Sequence, residues 1–447
     1  MMNHMRNMLV AAAALVLAAA MPLAPASATN VERVVSPGGI EAWLVRDPTV
    51  PLVAMEFAVT GGASQDPETK PGVAHLMSGM LDEGAGELDA KAFHQRMEEL
   101  ALQMRFSAGR DHFQGSVSML RDRMDQGLDL LRLALTQPRF ENDALERVRA
   151  QVLSSLRRET TNPNSISNRT WWKTAFPNHP YGRPTNGTLE SVATITAQDL
   201  RDYHTRVLTR STLKVAVVGD IDAATLGPIL DRVFGALPAQ GKLNALTPAR
   251  IQEVGRRIVV DLDVPQTVLS FGGTGIERKD PDFIAAFVVN HILGGGSFSS
   301  RLYDEVREKR GLAYGVYSYL QTLDRSPMFM GGTQTSNDSA GEALKIIEAE
   351  IQRMAKEGPT EEELDKAKAY LKGSYPLSFD TSSKIAGQLL QIQIWDYGID
   401  YIKTRNSKID AVTIEQARRV AKRLAETGLL VTVVGRPKDL ASNEPGK

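Results

Sequence analysis

One pattern occurs twice in this chain and limits its fold more than any single motif does. In the first copy, Thr196-Ala197-Gln198-Asp199-Leu200 opens a helical run, followed by the apolar stretch Leu213-Lys214-Val215-Ala216-Val217-Val218-Gly219-Asp220. In the second, Thr413-Ile414-Glu415-Gln416-Ala417 opens a helical run, followed by Leu429-Leu430-Val431-Thr432-Val433-Val434-Gly435-Arg436. A threonine hydroxyl accepts from the free N–H groups of a first helical turn, and an apolar, β-branched run ended by glycine reads as a strand. Earlier in each half comes another strand ending in glycines: Val53 to Val59 before Gly61-Gly62, and Thr267 to Phe271 before Gly272-Gly273. A period of roughly 200 residues marks a domain duplication, because solenoid units repeat every 20–50 or so.

The joint between the copies falls in Leu237 to Arg257, where Pro238, Gly241 and Pro248 interrupt any periodicity. The expected division is residues 29–240, a linker at 241–257, and residues 258–447. Helical patterns fill the middle of each half, for example Asp125 to Leu135 and Glu342 to Lys356. Strands and helices do not alternate strictly. The fold class expected is therefore α+β: two homologous domains, each a mainly antiparallel sheet packed with helices.

Residues Met1 to Ala28 have the pattern of a secretory signal. Arg6 precedes the apolar run Met8 to Ala20, and Ala26-Ser27-Ala28 supplies small residues at a cleavage site. The run is shorter than the roughly 20 residues a spanning helix needs. An exported protein, periplasmic by preference, is expected.

Charge and composition then exclude several chemistries. Lys plus Arg is 52 and Asp plus Glu is 53, a formal net charge of −1, unlike a generally basic nucleic-acid binder. There is no cysteine among the 447 residues, so disulfides, thiolate metal sites and cysteine nucleophiles are absent. A metal would have to use the seven histidines and the carboxylates.

One histidine stands in a telling place. Pro71-Gly72-Val73-Ala74-His75-Leu76-Met77-Ser78-Gly79 follows the first glycine-ended strand and reads as a helix start. This segment resembles the metal helix of the pitrilysin, insulysin and mitochondrial processing peptidase family, the inverted zincins, which carry His-x-x-Glu-His there. By that resemblance His75 matches the first zinc ligand. Ser78 stands where the general-base Glu belongs, and Gly79 where the second His belongs. Ser155, in the helix Asp143 to Glu159, is the best match to the third ligand, a Glu. A catalytic zinc normally needs three protein ligands plus water, and neither Ser nor Gly replaces a carboxylate base near neutral pH. No metal is expected in this chain. A rearranged site drawing on Asp82, seven residues from His75 on one face of a longer helix, with Glu83, His94 or His112, is the alternative. His179, His204 and His291 have no metal-ligand spacing.

The second half contributes another match. Gly294-Gly295-Gly296 lacks the Gly-Lys-Ser/Thr ending of a phosphate loop and reads as a glycine-rich turn. A helix from about Ser299 to Arg310 follows, Gly311 ends it, and a strand begins at Leu312. This block resembles the part of the same family from which an Arg, and a Tyr seven residues later, project toward the zinc site. Arg307 and Tyr314 match by type and spacing. A guanidinium and a phenol both donate hydrogen bonds to a developing oxyanion. A structural role competes, since a cation suits a last helical turn and an aromatic suits a strand. His179-Pro180-Tyr181-Gly182 with Gly187-Thr188 adds a third, looser match.

The resemblance implies two homologous domains per chain and two chains closing around a peptide chamber. This chain is expected to be the subunit without zinc. A homologous partner would supply zinc and the base, and Arg307 and Tyr314 would act in trans on unfolded peptides. A homodimer of the isolated chain is a further expectation. Residues after the glycine-ended strands, at Gly61-Gly62 and Gly272-Gly273, are expected to offer a strand edge to extended peptides. The other expectation is a non-enzymatic scaffold or peptide-binding protein that kept the fold.

Overall fold

The computed structural model describes residues 30–443, so the signal reading of Met1 to Ala28 lies outside the described residues. Each half builds one large sheet, and Gly84–Ala85 and Leu88–Asp89 add a two-stranded ribbon to the first half. The first large sheet contains β1 (Glu32–Val35), β2 (Glu41–Arg46), β3 (Leu52–Thr60), β4 (Gln103–Ala108), β5 (His112–Leu120) and β6 (Lys214–Gly219), in the order β1-β2-β6-β3-β5-β4. The second contains β7 (Arg257–Asp261), β8 (Gln266–Thr274), β9 (Ala313–Leu323), β10 (Ser326–Ser336) and β11 (Leu430–Gly435), in the order β9-β10-β8-β11-β7. Apart from the extra β1, the two orders are the same. Each sheet has one parallel pair, β2 with β6 and β7 with β11, and all its other pairs are antiparallel. The repeated motif is thus a repeated topology.

The helices that matter here are α1 (Val73–Ser78), α2 (Asn142–Glu159), α3 (Pro163–Ala175), α4 (Ala197–Val207), α5 (Ser382–Ile394) and α6 (Ile414–Ala425). Thr196 and Thr413 cap α4 and α6 with reciprocal capping boxes, completed by Asp199 and Gln416. Among the described residues, no helix is long and apolar enough to cross a membrane.

One face of each sheet packs on helices of its own half. The opposite face is covered by a helix from the other half. On the first sheet, Trp43, Val45, Ala54, Ala58, Ala216 and Val218 lie under Ile385, Ala386, Leu389 and Leu390 of α5. On the second, Met328, Met330 and Leu430 lie under Trp171, Trp172 and Ala175 of α3. Polar groups fix both crossings. Trp171 Nε1 donates to Leu430 O at 3.1 Å, Ser167 Oγ lies 2.8 Å from both Ser270 Oγ and Thr432 Oγ1, and Gln393 Nε2 donates to Val215 O at 2.9 Å.

Two sequence expectations are corrected by this arrangement. Gly272 and Gly273 lie inside a central strand and offer no edge, and the glycine-ended strands are themselves central. β3 lies between β6 and β5, and β8 between β11 and β10. Their apolar residues point both ways, as strands buried on both faces require. The edges belong to β1, β4, β7 and β9. Gly272 and Gly273 also do not end the second strand, which runs on to Thr274. Gly272 makes room for the exchanged helix, since a Cβ there would lie 2.5 Å from Trp171 Cζ2.

Gly272→Ala should therefore destabilise the protein by roughly 1–3 kcal/mol, the usual cost of overpacking a filled core. A lowered chemical-denaturation midpoint at unchanged slope would register it. An unchanged midpoint would mean that the α3 crossing is loose.

Candidate functional site

The helix carrying His75 is built from its loop. Asp66 accepts from the backbone N–H groups of Gly72 at 2.7 Å and Ala74 at 2.8 Å, satisfying free donors at the start of α1. The carboxyl is buried, and loss of water raises it to about 7, against the pull of those two N–H groups and of Arg183 and Arg206. Nothing in the sequence reading marked Asp66. Its signal would have been an acid six residues ahead of Gly72.

α1 is short. It ends at Ser78, with Gly79 as its cap. Asp82 therefore does not share a helical face with His75, and the rearranged metal site is lost with that geometry. Glu83 pairs with Arg147 and lies 4.0 Å from His94, while His112 lies 3.8 Å from Asp324. The remaining histidines have structural partners. His204 Nε2 lies 2.8 Å from Leu135 O, His179 Nδ1 accepts from Tyr181 N at 3.2 Å, and His291 stacks on Tyr370.

The motif positions have been taken over by packing. Ser78 is buried, and its hydroxyl donates to His75 O at 2.7 Å. Gly79 is exposed, and a Cβ there would stand 3.3 Å from Val148 Cγ1, close enough that Val148 would have to shift slightly. Ser155 is half-buried on α2. One turn later on that helix is Glu159, whose charge raises His75 while burial, the larger effect, lowers it. Sequence reasoning fixed on Ser155 and passed over Glu159. Its i+4 spacing from Ser155 was the available clue. Among the described residues no three His, Asp or Glu side chains are grouped to hold a metal ion. One imidazole with a serine, a glycine and a distant carboxylate does not fit zinc.

Arg307 and Tyr314 are brought together. The expected helix from Ser299 to Arg310 is instead a 3₁₀ turn (Ser297–Ser299), a single α-turn (Arg301–Tyr303) and a π-helical segment (Asp304–Glu308) that holds Arg307. Nor is the glycine run a loose turn. His291–Gly295 continues the preceding helix as a π-turn, and Gly294 lies so close to β9 that a Cβ would meet Ser318 Oγ at 2.4 Å. The register of β9 against β10 shifts between Ala313 and Val316, a bulge that turns Tyr314 outward. Thr333 Oγ1 pins it by donating to Gly315 O at 2.6 Å. The guanidinium carbon of Arg307 lies 4.8 Å from the Tyr314 ring centroid and 5.0 Å from that of Tyr303. Tyr314 is 87% exposed. Arg307 makes no ion pair among the described residues.

Residues 42–189 match the family model described as insulinase, peptidase family M16, and residues 194–371 match that described as the peptidase M16 inactive domain. The chain belongs to peptidase family M16. Its altered motif makes it a zinc-site-deficient member. It is 28% identical over 335 residues to a non-peptidase homolog, YmxG, of Helicobacter pylori, covering 75% of this chain and 77% of that one. It is 27% identical over 423 residues to an uncharacterized zinc protease of Mycobacterium tuberculosis, covering 93% and 95%. A crystal structure of a peptidase M16 inactive domain from Pseudomonas fluorescens superposes with a TM-score of 0.86 at 29% identity, covering 93% of this chain and 99% of that one. The relatives' descriptions divide between peptidase and non-peptidase. For this chain the residues at 75, 78, 79 and 155 decide against a zinc site of its own.

Asp66 makes this region sensitive to pH. Its folded value lies above that of a free carboxyl, so its contribution to stability is fully present below about pH 4 and is lost as pH rises through about 7. Wild type should lose melting temperature relative to Asp66→Asn between about pH 5 and 8, with the difference levelling off above that. Parallel melting curves across the range would remove Asp66 as the source.

Proposed function

We propose that this chain is the zinc-free subunit of an exported metallopeptidase. In this reading Arg307 and Tyr314 are lent to a zinc site carried by a homologous partner, and export through the leader Met1–Ala28 places both chains in the periplasm. The observation that carries the reading is the stacked pair of a half-buried Arg307, without an ion pair among the described residues, and an exposed Tyr314. Two backbone irregularities, a π-segment and a bulge, aim it outward, and such features are concentrated at functional sites. Among the described residues Arg307 has no carboxylate partner, and the Tyr314 ring is nearly bare. Both become useful once a second surface closes over them and excludes water.

The chemistry asked of the pair is modest. A guanidinium N–H and a phenolic O–H donate to the carbonyl oxygen of a bound peptide, more strongly as charge develops there. The zinc and the base come from the partner. A chamber closed by two such chains admits unfolded peptides and excludes folded proteins by size.

The purified chain alone should show no chelator-sensitive peptidase activity, and one tightly bound zinc per chain would overturn the reading. With the zinc-bearing partner, turnover should appear, and Arg307→Ala or Tyr314→Phe should each lower kcat by roughly 10²–10³-fold. If both variants keep full activity, the pair is structural and the alternative, a non-enzymatic peptide-binding scaffold, takes its place.

A further inference from the structure

Between α3 and the loop Gly182 to Asn186 lies a cleft of about 360 Å³, near the lower end of the roughly 300–1,000 Å³ typical of ligand pockets. One wall is a single face of α3, carrying Asn164, Asn168 and Trp172 at intervals of four residues, with Arg169 beside them. The other is the loop from Gly182 to Asn186, and Glu159 closes one end. Arg110, from the turn between β4 and β5, lies beneath, its guanidinium carbon 3.6 Å from the Trp172 ring centroid.

The charge of this cleft is one-sided. Arg110, Arg169 and Arg183 line it against the single carboxylate Glu159. None of the three arginines makes an ion pair among the described residues. Arg183 donates only to the backbone oxygens of Asp66 and Ser64. The Nε–H groups of Arg110 and Arg183 are buried without acceptors. Burial lowers Arg110 only to about 10, so it is cationic at neutral pH. The protein as a whole carries a formal charge of −1, so this is a local concentration of positive charge.

We infer that this cleft binds a carboxylate of a peptide, with Arg110 and Arg169 as its cationic contacts. A planar guanidinium presents paired N–H donors that match the two oxygens of a carboxylate, and stacking on an indole fixes its plane while leaving its edge free. The amides of Asn164, Asn168 and Asn186 both donate and accept, which suits the flanking backbone. The choice of a peptide rests on the reading of the chain as a peptide-handling subunit. The inference deepens that reading by naming acidic segments or chain termini as what this subunit holds. Glu159 opposes such a ligand and should weaken it.

The test is direct binding to the full chain without any partner, so that it is independent of turnover. Fluorescence anisotropy would compare three labelled hexapeptides: Glu-rich with an amidated end, its Gln-for-Glu counterpart with an amidated end, and the Gln peptide with a free terminal carboxylate. One or both carboxylate-bearing peptides should bind at least tenfold more tightly than the amidated Gln peptide, and which of them does identifies the source. Arg169→Ala, at an exposed position where folding is not at risk, should weaken that binding by roughly tenfold, and Arg110→Gln by more. Glu159→Gln should tighten it several-fold. Equal binding of all three peptides, or binding indifferent to Arg169→Ala and Glu159→Gln, overturns the inference. Loss of activity in the complex through Arg307 or Tyr314 would be unaffected by that failure.

Discussion

Everything else in this molecule rests on the exchange of α3 and α5 between the two halves. A sheet built of strands that are apolar on both faces cannot stand with one face in water. At about 25 cal/mol per Å² of apolar surface removed from solvent, covering Trp43, Val45, Ala54, Ala58, Ala216 and Val218 is a substantial part of what holds the first sheet together. Neither half supplies that cover for itself. The first half takes α5 from the second, and the second takes α3 from the first, with Gln393 and Trp171 hydrogen-bonded to the strand carbonyls of Val215 and Leu430. The halves are homologous in topology and are joined as one interlocked body.

That exchange also builds the surfaces that carry function. Because α3 is held down by Trp171 over Gly272, its neighbouring face, with Asn164, Asn168 and Trp172, forms the wall of the arginine-lined cleft. Arg110 then packs on Trp172, the neighbour of the anchoring tryptophan. The same logic applies to the altered motif. α1 keeps its support, with Asp66 capping its first turn and α2 behind it, although Ser78 is a buried packing residue and Gly79 carries no side chain. Architecture and chemistry have separated: the scaffold of a metal helix persists around residues that cannot hold a metal.

Much of this was readable in advance because it depends on local rules. The threonine caps at Thr196 and Thr413 and the glycine-ended strands β6 and β11 follow from residue type and period. The loss of the zinc motif follows from Ser78 and Gly79 alone. The misreadings share one cause. Gly272 read as a strand end because a glycine inside a strand is explained only by Trp171, a residue about one hundred positions away. Gly294 read as a turn because its contact, Ser318, lies in a different element, beyond the reach of local pattern. The helix of Arg307 read as a regular α-helix because its periodicity is helical, and only packing against β9 selects the π-segment.

The sequence by itself determined the duplication, the α+β class, the absence of thiol chemistry and the degeneracy of the motif at His75, since each is a matter of residue identity and short-range spacing. Tertiary structure alone decided which strands are central, which helix covers which sheet, that α1 stops before Asp82, that Glu159 is the carboxylate whose charge reaches His75, and that Arg110, Arg169 and Arg183 share one cleft. Those facts depend on contacts between residues far apart in the chain. No local propensity encodes them, because they follow from the burial of two-faced sheets that each half can complete only with the other.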